Sequence, residues 1–118
     1  MINEKKIFCF DIDNIICKTV KNNYKNSKPN KKIIKLINSL FEKGHTIKIF
    51  TARFMGRNNE NVFKAKKQGF MFTKKQLEKW NLKYHKLIFG KPSYDLFIDD
   101  KAMGNEKNWF SKLKKKIK

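Results

Sequence analysis

Lys6-Ile7-Phe8-Cys9-Phe10-Asp11-Ile12-Asp13 is the stretch on which the fold turns. From Ile7 to Phe10 it is apolar with little alternation, and it ends in two carboxylates. A strand with one wet face alternates apolar and polar residues, whereas a strand buried on both faces of a parallel sheet reads as a nearly continuous apolar run. The stretch therefore predicts a central parallel strand with Asp11 and Asp13 at its carboxyl end. A second run, Tyr94-Asp95-Leu96-Phe97-Ile98, closes the same way on Asp99-Asp100. The chain holds ten Asp and Glu against twenty-nine Lys and Arg, so four scarce carboxylates sit at the ends of two apolar runs.

Working outward, residues 14–28 are polar and irregular, and Pro29 precedes an amphipathic helix with Ile33, Ile34, Leu36, Ile37, Leu40 and Phe41 at helical spacing and Gly44 as its stop. Residues 46–50 read as a second strand. Residues 52–68 begin as a loop, gain helix around 61–67 and end at Gly69; Thr73 then caps a separate helix from 74 to about 81. Leu87-Ile88-Phe89 and Leu96-Phe97-Ile98 are the expected third and fourth strands, and a last helix from about 106 to 117 carries Trp109, Phe110 and Leu113. Strands alternating with helices imply right-handed crossovers and a parallel sheet covered on both faces. In such sheets the ligand crevice lies beyond the carboxyl ends of the strands, which would gather Asp11, Asp13, Thr51, Lys91, Asp99 and Asp100 along one edge.

A chain of 118 residues fits one small domain, 1–118. No apolar run approaches the roughly 20 residues a membrane span needs, and the first residues lack a signal-peptide core, so a soluble cytoplasmic protein is expected. Cys9 and Cys17 have neither C-x-x-C nor zinc spacing. The net charge of +19 invites a nucleic-acid partner, yet only Arg53 and Arg57 are arginines, the residue preferred for bidentate phosphate and base contacts. Solvated lysine faces are favoured over a dedicated nucleic-acid surface.

Side chains along a strand alternate with period two, so Asp11 and Asp13 project to the same side. Carboxylates gathered from two strand ends repel unless a cation lies among them, and hard oxygen donors suit Mg²⁺. A carboxylate can also attack phosphorus to give an aspartyl-phosphate that water hydrolyses. The transferred group then needs a cation and hydrogen-bond donors around it, which Lys91 and Thr51 supply.

Phe10-Asp11-Ile12-Asp13-Asn14-Ile15, Ile49-Phe50-Thr51-Ala52-Arg53, Gly90-Lys91-Pro92 and Ile98-Asp99-Asp100 resemble, in order and spacing, the four motifs of the haloacid dehalogenase (HAD) superfamily. The likeness runs nearly the length of the chain. It is greatest to small capless hydrolases of capsule and lipopolysaccharide sugar biosynthesis, in which T-A-R, a W…Y segment, G-K-P and I-D-D-K/R-A recur; the counterparts here are Thr51-Ala52-Arg53, Trp80 to Tyr84, Gly90-Lys91-Pro92 and Asp99-Asp100-Lys101-Ala102. The resemblance implies a three-layer Rossmann-like α/β fold: a small parallel sheet with helices on both faces and no cap domain. It makes Asp11 the nucleophile and a Mg²⁺ ligand, and Asp13 the general acid and then base, with its backbone carbonyl on the metal. Thr51 and Lys91 would hold the phosphoryl oxygens, Asp99 would bind Mg²⁺ directly, and Asp100 would act on a metal-bound water. Arg53 would hold other anionic or hydroxyl groups of the substrate.

The family commonly has Gly after the second aspartate, where this chain has Asn14, a residue that accepts left-handed backbone angles. His45 and His85 each precede an apolar strand and have no triad or metal partners, so they read as strand-start polar residues. Trp80 and Trp109 read as helix packing. Without a cap, the segment 54–72, residues 14–28 or a neighbouring subunit of a homo-oligomer must exclude water. The expected activity is a Mg²⁺-dependent phosphatase of a small phosphorylated metabolite, a sugar phosphate foremost. A polynucleotide 3′-phosphatase is the second reading, and a non-catalytic basic nucleic-acid-binding module on the same scaffold the third.

Overall fold

The structure, a computed structural model, describes residues 4–117. Its elements in chain order are β1 (Ile7–Phe10), a short antiparallel pair β2 (Cys17–Lys18) and β3 (Lys28–Pro29), α1 (Lys31–Glu42), β4 (Thr46–Thr51), α2 (Val62–Lys79), β5 (Lys86–Phe89) and α3 (Trp109–Lys116). β1, β4 and β5 form a parallel sheet in that order. The chain is thus an α/β protein built on a small parallel sheet.

The register sorts the strand residues onto two faces. Phe8 and Phe10 pair with Ile47 and Ile49, and Ile49 and Thr51 pair with Leu87 and Phe89, so these residues share one face. Their apolar members belong to clusters that include Ile33, Ile34, Ile37 and Leu40 of α1 and Ala65 and Leu77 of α2. The other face holds Ile7, Cys9, Lys48, Phe50, Lys86 and Ile88, none of them buried. Helices on both faces were expected, but α1 and α2 share one. Both crossovers step the same way across the sheet, and two right-handed crossovers in one direction put both helices on one side. Trp109, Phe110 and Leu113 of α3 pack against that same core cluster.

Local chemistry fixes the helix ends. Asn30 caps α1, its side chain accepting from the Ile33 N–H at 3.3 Å, and Gly44 follows the helix at φ 92°. The two helical pieces expected between residues 61 and 81 are one helix. Asn61 caps it by accepting from the Lys64 N–H at 3.0 Å, and Thr73 lies inside it, fully buried. Gly69 does not end α2, because there it makes room for a neighbour: a Cβ at that position would lie 2.1 Å from Cδ2 of Phe54. Phe54 itself takes φ 68°, costly for an aromatic residue, and its ring is buried against Gly69.

No strand forms at 96–98. Leu96 and Ile98 are 77% and 86% exposed, and residues 91–108 contain no helix or strand. The chain folds back there instead, with the Lys91 ammonium 5.2 Å from the centre of the Tyr94 ring and 5.3 Å from that of Phe97. The outer edge of β1 consequently pairs with no strand among the described residues.

Candidate active site at the strand ends

Asp11 follows directly on β1 and Lys91 lies two residues beyond β5, and the parallel order brings them together. Lys91 Nζ is 3.4 Å from Asp11 Oδ2, while the Ile12 N–H donates to Asp11 Oδ1 at 2.8 Å. The side chains are 12% and 32% exposed respectively, so the pair is sheltered yet open to a ligand. Burial pushes the Asp11 carboxyl above its ordinary value; Lys91 and the Ile12 N–H oppose that, and Asp13 adds to it. Burial pulls the Lys91 ammonium down, but Tyr94 and Asp11 outweigh it and its value rises. Thr51 ends β4 fully buried; its Oγ1 accepts the Arg53 N–H at 3.1 Å and its carbonyl accepts the Lys91 N–H at 3.2 Å. Thr51 thereby ties the Arg53 and Lys91 backbones to one strand end.

The turn after β1 carries Asn14 at φ 66°, a left-handed conformation that Asn accepts more readily than most residues. That turn aims Asp13 at Arg53. Nη2 and Nε of Arg53 donate to Asp13 Oδ1 and Oδ2 at 2.9 and 3.0 Å, and the Thr19 hydroxyl donates to Oδ1 at 2.6 Å. Arg53 is inaccessible along its whole side chain, so it makes no contact with solvent where a substrate group would arrive. Its placement differs from the expected substrate contact: the guanidinium is enclosed by the protein's own acceptors.

Asp99 and Asp100 are not brought to this edge. Both are exposed, and Asp99 Oδ1 closes a local turn by accepting the Lys101 N–H at 2.8 Å. Among the described residues no group of three His, Cys, Asp or Glu side chains converges as a metal site. With Asp11 beside an ammonium and Asp13 beside a guanidinium, this donor set as arranged does not fit Mg²⁺.

Several site residues gave no signal in the sequence. Thr19, Ser27 and Tyr24 come from the irregular segment before α1, and Thr73 and Gln76 from the inner face of α2; Thr19 holds Asp13, and the other four surround Arg53. The histidines keep the structural role read for them: Nδ1 of His45 accepts the Lys6 N–H and Nδ1 of His85 accepts the Ile47 N–H, each at 3.0 Å. Trp80 and Trp109 pack on the core. Cys9 and Cys17 are both free. No helix among the described residues is long and apolar enough to cross a membrane.

The molecule is therefore an α/β protein with paired acidic and basic side chains at the carboxyl ends of parallel strands. Among solved structures it is similar to a crystal structure of a target protein from Vibrio cholerae, 25% identical with a TM-score of 0.78, the match covering 98% of this chain and 100% of that one. No protein-family model and no curated protein matches the sequence.

Proposed function

We propose that the chain is a phosphomonoester hydrolase of the HAD type, acting on a small phosphorylated metabolite, a sugar phosphate foremost, through an aspartyl-phosphate on Asp11. One observation carries the reading: Asp11 and Lys91 meet at 3.4 Å beyond the ends of two parallel strands, with Asp13 two residues on. In this reading an Asp11 oxygen attacks phosphorus, a P–O bond to Asp11 forms, and the P–O bond to the leaving group breaks. Asp13 gives its proton to the leaving oxygen, releasing an alcohol. It then takes a proton from water as that water attacks phosphorus and frees Asp11 and inorganic phosphate. Lys91 neutralises the phosphoryl oxygens, which concentrate negative charge in the transition state.

Mg²⁺ belongs to the proposal through the family resemblance, and it needs a further carboxylate beside Asp11. Metal dependence thus tests whether Asp99 or Asp100 joins the site. The experiment is phosphate release from sugar phosphates, nucleotides and 3′-phosphorylated oligonucleotides, with Mg²⁺ or EDTA, by the wild type and Asp11→Asn. Turnover of sugar phosphates that is lost in the variant supports the reading. Turnover confined to oligonucleotides, steeply weakened by salt, moves it to a polynucleotide 3′-phosphatase. No turnover of any substrate sinks both.

A further inference from the structure

Arginine carries five N–H donors in a rigid planar fork and no acceptor. At Arg53 these donors face protein acceptors only. Nε meets Asp13 Oδ2 at 3.0 Å, Nη1 meets Gln76 Oε1 at 2.6 Å and Thr73 Oγ1 at 3.5 Å, and Nη2 meets Asp13 Oδ1 at 2.9 Å and Ser27 Oγ at 3.5 Å. The flat face of the guanidinium rests 4.7 Å from the centre of the Tyr24 ring. Gln76 is itself held, donating through Nε2 to the Tyr24 carbonyl at 2.7 Å. The fork is thus anchored by α2 on one side and by the segment between β2 and β3 on the other, and its free side faces Asp13.

The two Asp13 oxygens are loaded unequally. Oδ1 accepts from Nη2, from the Thr19 hydroxyl at 2.6 Å and, at a longer 3.3 Å, from Nε. Oδ2 accepts from Nε alone. A carboxylate oxygen has two lone pairs, so Oδ1 is filled and Oδ2 keeps one free. We infer that Arg53 is a positioning residue for the acid–base step: it locks the Asp13 carboxyl so that Oδ2 is the oxygen that gives the proton to the leaving group and later takes one from water. The inference rests on the phosphatase reading and on Asp13 acting as its acid. Arg53 touches neither substrate nor phosphorus.

A residue acting only through proton delivery leaves a signature that a merely structural one does not. p-Nitrophenolate departs from phosphorus without needing a proton, whereas the alkoxide of a hexose phosphate needs one. Arg53→Lys keeps the charge and loses the fork. It is expected to lower kcat/KM for a hexose phosphate by about a hundredfold, the lower end of what a positioned general acid contributes, and for p-nitrophenyl phosphate by about tenfold or less. Gln76→Leu removes a neutral prop behind the fork and leaves the Arg53–Asp13 pair in place, so it is expected to show the same discrimination in smaller degree even where Arg53→Lys folds poorly. Equal losses on both substrates in both variants would overturn the inference. A wild type that turns over both substrates while its variants show no such split condemns the inference alone, whereas a wild type inactive on both substrates condemns the phosphatase reading and this inference with it.

Discussion

Two pairs of aspartates look alike in the sequence and could hardly be treated more differently by the fold. Asp11 and Asp13 leave a strand that is paired in register with β4, and each meets a cation, Lys91 at 3.4 Å and Arg53 at 2.9 Å. Asp99 and Asp100 follow a run that pairs with no strand among the described residues, and both are exposed. An apolar run becomes a strand only when a partner edge takes its backbone groups. The aromatic rings of the second run pack on Lys91 instead of lying along the free edge of β1. Residue type marks a candidate carboxylate, but its pairing decides whether it reaches the site.

The largest effect that sharpens this contrast is on catalysis. In the proposed reaction Asp11 is the nucleophile, so Asp11→Asn is expected to lower phosphate release by about ten-thousandfold or more, the scale seen when a covalent catalyst is deleted. Its stability should move the other way. Burial raises the folded value of the Asp11 carboxyl above 3.8, so the folded protein holds that proton more tightly than the unfolded chain does. The contribution of Asp11 to stability is then fully present below that pH and is lost as pH rises through the folded value. The Asn variant is accordingly expected to melt no lower than the wild type at neutral pH, and this relative benefit should vanish below pH 3.8. Melting curves across that range check the sign.

Asp13 and Asp99 differ next in what they hold. Asp13→Ala strands a guanidinium that has no access to solvent, and breaking a buried pair from one side costs about 3–5 kcal/mol. Asp99→Asn removes a charge already in water and is expected to leave the urea midpoint unchanged. Urea denaturation of the two variants side by side breaks the comparison if their midpoints shift alike.

Lys91 comes third. Lys91→Met removes the main influence holding the Asp11 carboxyl down, so the low-pH limb of kcat/KM, which in the proposed reaction follows ionisation of Asp11, is expected to move to higher pH. The rate on the plateau should drop by roughly a hundredfold, as when one electrostatic donor to a transition state is lost. A limb that stays in place would separate Lys91 from Asp11 in function despite their contact.

The sequence made some of this arrangement legible and hid the rest, for physical reasons. β4 and α1 were readable because a buried element must be apolar at its own period, and Ile47, Ile49, Ile33 and Ile37 obey that rule, whereas β1, read as a central strand buried on both faces, is an edge strand among the described residues, with Ile7 and Cys9 exposed. Asn14 was readable because few residues accept its backbone angle. The continuity of α2 was not, since Gly69 looks like a stop in one dimension and serves as a seat for the Phe54 ring in three. Arg53 was found by its motif, while its contact with Asp13 was not foreseen. Its surroundings are Thr, Ser, Gln and Tyr, residues common in any loop or helix, and only the fold brings them together. The single covered face of the sheet was hidden too, because it depends on strand order, which periodicity does not report.

The smallest expected effect is the most direct probe of the second pair's surroundings. Ile98 is 86% exposed, so Ile98→Ser removes an apolar side chain that is buried against nothing and should change stability by less than about 0.5 kcal/mol. Ile47, buried and paired with Phe8, is the control: Ile47→Val deletes one core methyl group and is expected to cost about 0.5–1.5 kcal/mol. Were Ile98→Ser to cost as much as Ile47→Val, residues 96–98 would be lying on a partner, and the free edge of β1 is where that partner would be sought. The same measurement at raised Mg²⁺ asks whether the ion changes the answer. A cost that appears only with the metal would join Asp99 to Asp11, and the two aspartate pairs would then form one site.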